Sequence, residues 1–120
     1  MLLAALAPSW RRRVAVAGHS MEPLLKEGDW LLVDPGAYGD RRPHGGDLVV
    51  AHDPRDSRRL IVKRVLGVAQ DGRLALAGDH PAHAHEADRI GAVDFEDVVG
   101  RPWLRYWPPH RFRLLTDRRD

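Results

Sequence analysis

Ser20 is the first residue of this sequence whose surroundings could support chemistry. It lies in the segment Ala17–Pro23, where a short apolar run leads into a glycine and then into a turn fixed by proline. A turn of this kind presents a hydroxyl at the end of a strand. Serine is also a favoured N-cap residue, so this segment alone predicts a capping serine more often than a nucleophile.

Lys63 is the second such residue, because lysine is rare in this chain. Only two of the 19 basic residues are lysines, Lys26 and Lys63, and the other 17 are arginines. On a strand, side-chain alternation places Lys63 on one face with the apolar Ile61 and Val65. Lysine, unlike arginine, can lose its proton and act as a base, and burial penalises its charged form. We therefore expect either a buried lysine that activates a serine or an ammonium that reaches solvent at a sheet edge.

Composition narrows the class of protein. The chain has 120 residues, a formal net charge of +2 and 43% hydrophobic residues, which predicts one domain with its own core. Cysteine is absent, and this excludes disulfides, thiolate metal sites and cysteine nucleophiles. Arginines alternate with aromatic residues from Arg101 to Trp107. That pattern is weak evidence for nucleic acid, so we expect an edge strand with its arginines in solvent and no nucleic-acid partner.

The N-terminal residues give no sign of a membrane span. Met1–Ala7 is apolar, but a span needs about 20 residues. Arg11, Arg12 and Arg13 follow the apolar run, whereas in a secretory signal the positive charge precedes it. We expect this segment to pack on the domain, with a peripheral membrane contact as the alternative. The protein is predicted to be soluble and cytoplasmic.

Short apolar runs bounded by Gly, Pro and Asp predict a mainly β fold. The predicted strands are Val14–Ala17, Trp30–Asp34, Asp47–His52, Leu60–Val68, Arg73–Ala77 and Val98–Trp103. Asp71-Gly72 is the strongest hairpin signal, and helical turns are expected only at Met21–Lys26 and Phe95–Val98. The prediction is a single compact antiparallel β domain, sandwich-like or barrel-like, with few short helical turns. It divides into an N-terminal segment at residues 1–13, a domain at 14–110 and a basic tail at 111–120.

Three motifs together resemble those of signal peptidase I-type serine proteases. Gly18–Leu25, followed by Gly28-Asp29, resembles the serine box of that family. Gly46–Val50 followed by Val62–Val65 resembles its lysine box, and Gly78–Pro81 resembles the Gly-Asp-Asn turn that comes next. The likeness covers residues 14–108 and implies the β catalytic fold that signal peptidases share with repressor-type self-cleaving proteases.

The segment Arg105–Pro108, the chain length and the missing spanning helix narrow the resemblance. These features most resemble the small bacterial proteases that mature nickel-containing superoxide dismutase. The resemblance implies an endopeptidase that removes an N-terminal extension from a precursor polypeptide bound in extended form. It implies no cofactor.

The same resemblance implies roles for individual residues. Ser20 would be the nucleophile, Lys63 would take and return its proton, and the backbone N–H of Ser20 would hold the oxyanion. Gly18, Met21 and Pro23 would shape the site, and Gly18 stands where some relatives carry a second hydroxyl donor. The residues expected to support the lysine are Arg64, Gly78, Asp79 and Glu86.

The sequence departs from the family after Asp79. A Ser-x-Asp-Ser-Arg box is replaced here by Ala84–Arg89, with His80 in the place of the asparagine and Glu86 standing in for the aspartate. Ala87 replaces the hydroxyl that would hold the lysine.

His80, His83 and His85 form a short histidine-rich tract with Glu86. We expect a solvated loop. The alternative is a catalytically weakened module that binds a precursor, or a metal such as nickel, through these three histidines. Self-cleavage is a further alternative, but the sequence shows no DNA-binding domain and no Ala-Gly linker placed for it.

Overall fold

A computed structural model describes residues 12–83 and 90–115 of the chain. These residues form a mainly β fold, as the sequence predicts, with short 3-10 helices at Pro81–His83, Phe95–Asp97 and Pro109–Arg111. The strands are β1 (Arg13–Ala15), β2 (Trp30–Asp34), β3 (Leu48–Asp53), β4 (Asp56–Val68), β5 (Leu74–Ala77), β6 (Val98–Trp107) and β7 (Arg113–Leu114).

All strand pairs are antiparallel, and the strands follow the order β1-β2-β6-β3-β4-β5, with β7 paired to β6. The 13-residue β4 changes partner along its length. Leu60–Arg64 pairs with β3, and Arg64–Val68 pairs with β5. Lys63 therefore lies one residue before the point at which β4 passes from one neighbour to the other.

The core has two parts, and β3 contributes to both. Its run Leu48–Ala51 is fully buried, which explains why these residues are continuously apolar rather than alternating. Val49 and Ala51 pack with residues of β4 and β5. Leu48 packs into a second cluster, called here the serine-side core, whose buried members are Val16, Met21, Leu24, Leu25, Leu31, Leu48 and Leu115.

Local predictions agree closely with the structure. The bounds of β2 are as predicted, and the hairpin at Asp71-Gly72 is present, with Gly72 at a φ of +88° that favours glycine. The short helix at Phe95–Asp97 is also present, and residues 20–24 form a hydrogen-bonded turn where a helical turn was predicted. β4 begins four residues earlier than predicted, at Asp56, and the two-residue β7 was not predicted.

One prediction about the sheet is wrong. The strand that begins at Val98 is not an edge strand, because β6 lies between β2 and β3 and extends to Trp107. Nor are all its arginines in solvent: Arg105 is 6% exposed. Its guanidinium donates to the carbonyls of Leu24 and Arg111, and such bonds make the burial of a cation tolerable.

Several predictions fall on residues outside those described, namely residues 1–11, 84–89 and 116–120. Within the described residues, no helix combines the length and the apolar character needed to cross a membrane.

Candidate active site

Ser20 lies in a tight turn that follows β1. The turn is closed by two backbone hydrogen bonds, from Glu22 N to His19 O at 3.2 Å and from Leu25 N to Met21 O at 2.9 Å. The side chains of Met21 and Leu25 are buried in the serine-side core. One side of the turn is thus anchored by apolar residues, and Ser20 remains partly accessible on the other.

Lys63 meets Ser20 although the two residues are 43 positions apart. Its Nζ donates a hydrogen bond to the Ser20 Oγ at 2.7 Å. Lys63 is only 6% exposed, and its neighbours Ile61 and Val65 on the same face of β4 are buried. The structure therefore has the lysine buried rather than reaching solvent at a sheet edge. At 2.7 Å, a proton can pass directly between the two side chains.

The turn Gly78–His80 contacts the backbone of Ser20. The His80 N–H donates to the Ser20 carbonyl oxygen at 2.9 Å. Gly78 packs so closely that a Cβ at this position would collide with the same carbonyl oxygen and lie 2.9 Å from the Ser20 Cβ. Only glycine fits here without movement of the serine.

Arg64 fixes this turn to the lysine strand. It is 9% exposed, and its guanidinium bonds both carboxylate oxygens of Asp79, at 3.1 and 2.7 Å. A third hydrogen bond, of 3.0 Å, reaches the Gly46 carbonyl. A bidentate pair of this kind has a strict geometry, so it couples the position of the turn to that of β4. The structure thus brings together Arg64, Gly78 and Asp79, which the sequence predicted to support the lysine.

A small pocket opens at the Ser20–Lys63 contact. It has a volume of about 120 Å³ and lies between Ala15–Ala17 on one side and Arg59–Val62 on the other. A larger groove, of about 440 Å³, shares Leu60 with this pocket and runs along Arg12–Val14. Both openings lie between β1 and the first half of β4.

The remaining predicted site residues are placed as follows. Met21 lines the small pocket, and Gly18 is exposed, with a φ of +80° and open space where a Cβ would be. Pro23 is exposed. His85 and Glu86 lie outside the described residues, so the roles predicted for them stay predictions.

Two ionisable side chains flank Ser20 on the surface. His19 Nδ1 lies 2.6 Å from Glu22 Oε2. This hydrogen bond raises the pKa of His19 and lowers the pKa of Glu22, each with a smaller contribution from the opposite charge. Among the described residues, no group of three or more histidine, cysteine or acidic side chains could hold a metal ion.

Sequence reasoning did not predict the ionic network near the Ser20 turn. Its charged residues are Asp29, Arg105 and Arg111. Arg105 and Arg111 donate hydrogen bonds to the Leu24 carbonyl. Asp29 accepts hydrogen bonds from the Lys26 N–H and from Arg111. The sequence offered one signal for this network. Asp29 is an acid in a turn directly before a strand, and a carboxylate buried there needs a hydrogen-bond donor.

Comparisons with known proteins show which family the chain resembles. Residues 1–72 match the family described as signal peptidase, peptidase S26. The mitochondrial ATP-independent inner membrane protease subunit 1a of Arabidopsis thaliana is 28% identical, over 83% of this chain and 73% of its own length. The mitochondrial inner membrane protease subunit 1 of Xenopus tropicalis is 30% identical, over 87% of this chain and 74% of its own. The probable signal peptidase I-2 of Synechocystis sp. is 24% identical, over 85% of this chain and 66% of its own.

No solved structure matches the chain significantly. The family match extends over more than half of the sequence, including both Ser20 and Lys63. On this evidence, the chain belongs to the signal peptidase family of proteases, peptidase S26.

Proposed function

We propose that this protein is a serine endopeptidase in which Ser20 is the nucleophile and Lys63 the general base. The observation that supports this most directly is the 2.7 Å contact between Lys63 Nζ and Ser20 Oγ, made by a buried lysine in a family of peptidases. A serine hydroxyl is a weak nucleophile until a neighbouring base accepts its proton. The short distance from Lys63 Nζ to Ser20 Oγ supports Lys63 as that base.

The reaction follows from this contact. Lys63 enters as the neutral amine and accepts the hydroxyl proton while Ser20 Oγ bonds to the scissile carbonyl carbon. The carbonyl oxygen becomes an oxyanion, which the backbone N–H of Ser20 stabilises. When the C–N bond breaks, the leaving amine takes the proton from Lys63. The neutral lysine then takes a proton from a water molecule while the water oxygen bonds to the acyl carbon. When the bond from that carbon to Ser20 Oγ breaks, Lys63 returns the proton to Oγ, so the carboxylic acid product leaves and both side chains regain their starting state.

Two open strand edges support binding of the substrate in extended form. Among the described residues, β1 pairs with β2 along one edge, and Leu60–Lys63 pairs with β3 along one edge. Their other edges face the pocket and the groove, where a polypeptide can add as a strand. The pocket at Ser20 is small compared with the 300–1,000 Å³ of common ligand pockets, so it favours a small side chain beside the scissile bond.

The proposed substrate is a precursor protein with an N-terminal extension. The precursor of nickel-containing superoxide dismutase is the specific candidate, and the Arg105–Pro108 segment supports it through its resemblance to the proteases that mature that enzyme.

Cleavage of this precursor by wild-type protein and by Ser20→Ala tests the proposal, with intact-mass measurement of the products. We expect wild type to release one N-terminal fragment and Ser20→Ala to be at least about 1,000-fold slower. Ser57→Ala is the matched control, since Ser57 is exposed on β4 away from the pocket and its loss leaves the rate unchanged.

The outcomes separate the parts of the proposal. If Ser20→Ala cleaves as fast as wild type, the assigned nucleophile is wrong. If both proteins cleave other small-residue peptides but not this precursor, only the substrate is wrong. Tight binding of the precursor or of nickel without cleavage would favour the alternative binding module.

A further inference from the structure

An ionic network built around the buried carboxylate of Asp29 contacts the segment that follows Ser20. Arg111 bonds both carboxylate oxygens of Asp29, each at 3.0 Å. Asp29 is 2% exposed and also accepts a 2.8 Å hydrogen bond from the backbone N–H of Lys26. Arg105 donates to the carbonyls of Leu24 and Arg111. The network therefore joins β6 and the short helix Pro109–Arg111 to residues 24–29.

The network holds the serine segment at both of its ends. Downstream of Ser20, the Leu24 carbonyl accepts hydrogen bonds from Arg105 and, at 3.3 Å, from Arg111. Upstream of Ser20, the backbone of Val16 is bonded twice to the segment that carries Asp29: Val16 N donates to Asp29 O at 2.8 Å, and Gly28 N donates to Val16 O at 3.0 Å. Ser20 lies between two points that depend on the same buried groups.

The electrostatics show that Asp29 is held as a carboxylate. Burial alone would raise the pKa of Asp29, but the hydrogen bonds from Arg111 and from the Lys26 N–H outweigh it, so the pKa is lowered. Burial and the nearby charge of Arg111 lower the pKa of Arg105. Removing Arg111 would leave the buried Asp29 carboxylate with a costly unpaired charge, and removing the Asp29 charge would break the bidentate bond that holds Arg111 to this segment. The backbone that these groups hold would then have to move.

We propose that Asp29, Arg105 and Arg111 are positioning residues that hold the Ser20 hydroxyl at hydrogen-bond distance from Lys63. This inference rests on the proposed function, because it concerns the same nucleophile and base. Within the described residues, none of the three hydrogen-bonds the Ser20 hydroxyl or the Lys63 amine. They act by fixing the backbone at Val16 and Leu24. A displacement of about 1 Å at a reacting group costs on the order of 100-fold in rate.

Asp29→Asn tests the proposal, because it removes the charge with little change in volume. Asp53→Asn is a closely matched control. Asp53 is 1% exposed, bonds Arg55 in bidentate fashion at 2.9 and 2.9 Å and accepts a backbone N–H at 2.8 Å, but it lies at the β3–β4 hairpin. Both variants lose the same kind of pair, and only Asp29→Asn loosens the serine segment.

We expect Asp29→Asn to lower kcat by about 10- to 100-fold with little change in KM, and Asp53→Asn to stay within about 2-fold of wild type at a similar loss in Tm. Arg111→Lys keeps the charge without the bidentate geometry and is expected to give an intermediate kcat. It also serves if Asp29→Asn fails to fold. Equal losses of kcat in the Asp29 and Asp53 variants would mean that the network is merely structural and would overturn the proposal.

Amide hydrogen exchange provides a reading that does not require activity. In Asp29→Asn, the amides of Val16 and Leu25 are expected to exchange at least 10-fold faster relative to the amides of β3, and in Asp53→Asn they are not. If wild type cleaves no substrate, the proposed function fails, yet the exchange comparison still decides whether the network holds the serine segment. Unchanged exchange at both amides in Asp29→Asn would rule it out.

Discussion

Lys63 and Lys26 are the same residue type in opposite environments. Lys63 is buried against Ser20, whereas Lys26 is exposed in the turn before Asp29. An arginine could match the charge of either one. Because arginine cannot serve as a neutral base, only the buried position should require lysine.

Replacing Lys63 by arginine therefore separates charge from basicity. We expect Lys63→Arg to lower kcat/KM by about 100- to 10,000-fold, since the cation remains but proton transfer is lost. Lys26→Arg is the control and is expected to retain wild-type activity. Peptide hydrolysis measured by mass spectrometry, with circular dichroism to confirm folding, gives the comparison. A Lys63→Arg variant with normal activity would mean that the lysine is not the base.

Ser20 and Lys63 could be singled out from the sequence because residue type and the resemblance of two motifs carry the information, although the serine segment alone favours a capping residue. A lone lysine in an apolar strand, and a serine in a turn between Gly18 and Pro23, can be identified without knowing the fold. The burial of Arg105 could not be predicted in this way. Its local sequence, alternating arginines and aromatics, is typical of an exposed strand. The carbonyls that satisfy it come from Leu24, 81 residues away, and from Arg111.

At the scale of elements, the junction of β5 with the turn Gly78–His80 determines where the serine backbone lies. Gly78 has no Cβ to displace Ser20, and the Arg64–Asp79 pair keeps the turn against β4. Gly67 is a useful contrast, because a Cβ there would meet no atom within 4 Å. The two glycines of this region thus differ only in what surrounds them.

Gly78→Ala is expected to reduce both activity and stability. The added methyl group would force the Ser20 carbonyl away, at a cost of about 1–3 kcal/mol, and would lower kcat by at least about 10-fold. Gly67→Ala should leave kcat unchanged and the stability equal or slightly higher. Urea denaturation and peptide hydrolysis measure the two effects. Full activity in Gly78→Ala would show that the turn does not set the serine position.

Strand positions were predictable from short apolar runs and their Gly, Pro and Asp boundaries, but strand order was not. The place of β6 in the sheet depends on its pairing with Trp30–Asp34 on one side and with Val50 and Ala51 on the other. No pattern within residues 98–107 specifies those partners. The same limit applies to β7, whose two residues are ordered by pairing with Leu104 and Arg105.

At the scale of the whole molecule, distant parts of the chain converge on the serine-side core. Leu115 packs there with Met21 and Leu25, and Arg111 bonds Asp29 across 82 residues. The C-terminal part of the described chain thus contacts and supports the segment around Ser20. The predictions of a cytoplasmic location, of a membrane contact through Met1–Ala7 and of the domain limits stay predictions.

This convergence makes the stability of the fold sensitive to acid. Burial would raise the pKa of Asp29, but the hydrogen bonds from Arg111 and the Lys26 N–H outweigh it, so that pKa is lowered. The pKa of Asp53 is lowered chiefly by its hydrogen bonds from Arg55. A carboxyl whose pKa is lower in the folded than in the unfolded chain stabilises the fold at neutral pH. That stabilisation is lost as the pH falls through the folded pKa. In the exposed His19–Glu22 pair, the pKa of His19 is raised and the pKa of Glu22 is lowered. This pair adds little to the stability of the fold, because solvent screens the interaction.

Thermal unfolding between pH 7 and pH 2 checks this expectation. The Tm of wild type should be nearly constant near neutral pH and fall steeply below the ordinary aspartate pKa of about 4. Asp29→Asn should have a lower Tm than wild type at pH 7, and the difference should shrink as the pH falls, because the protonated wild type also lacks the ionic pair. Asp40→Asn, at an exposed position, should follow wild type throughout. A Tm difference between Asp29→Asn and wild type that stayed constant down to pH 2 would mean that the Asp29 charge does not join the C-terminal segment to the serine turn.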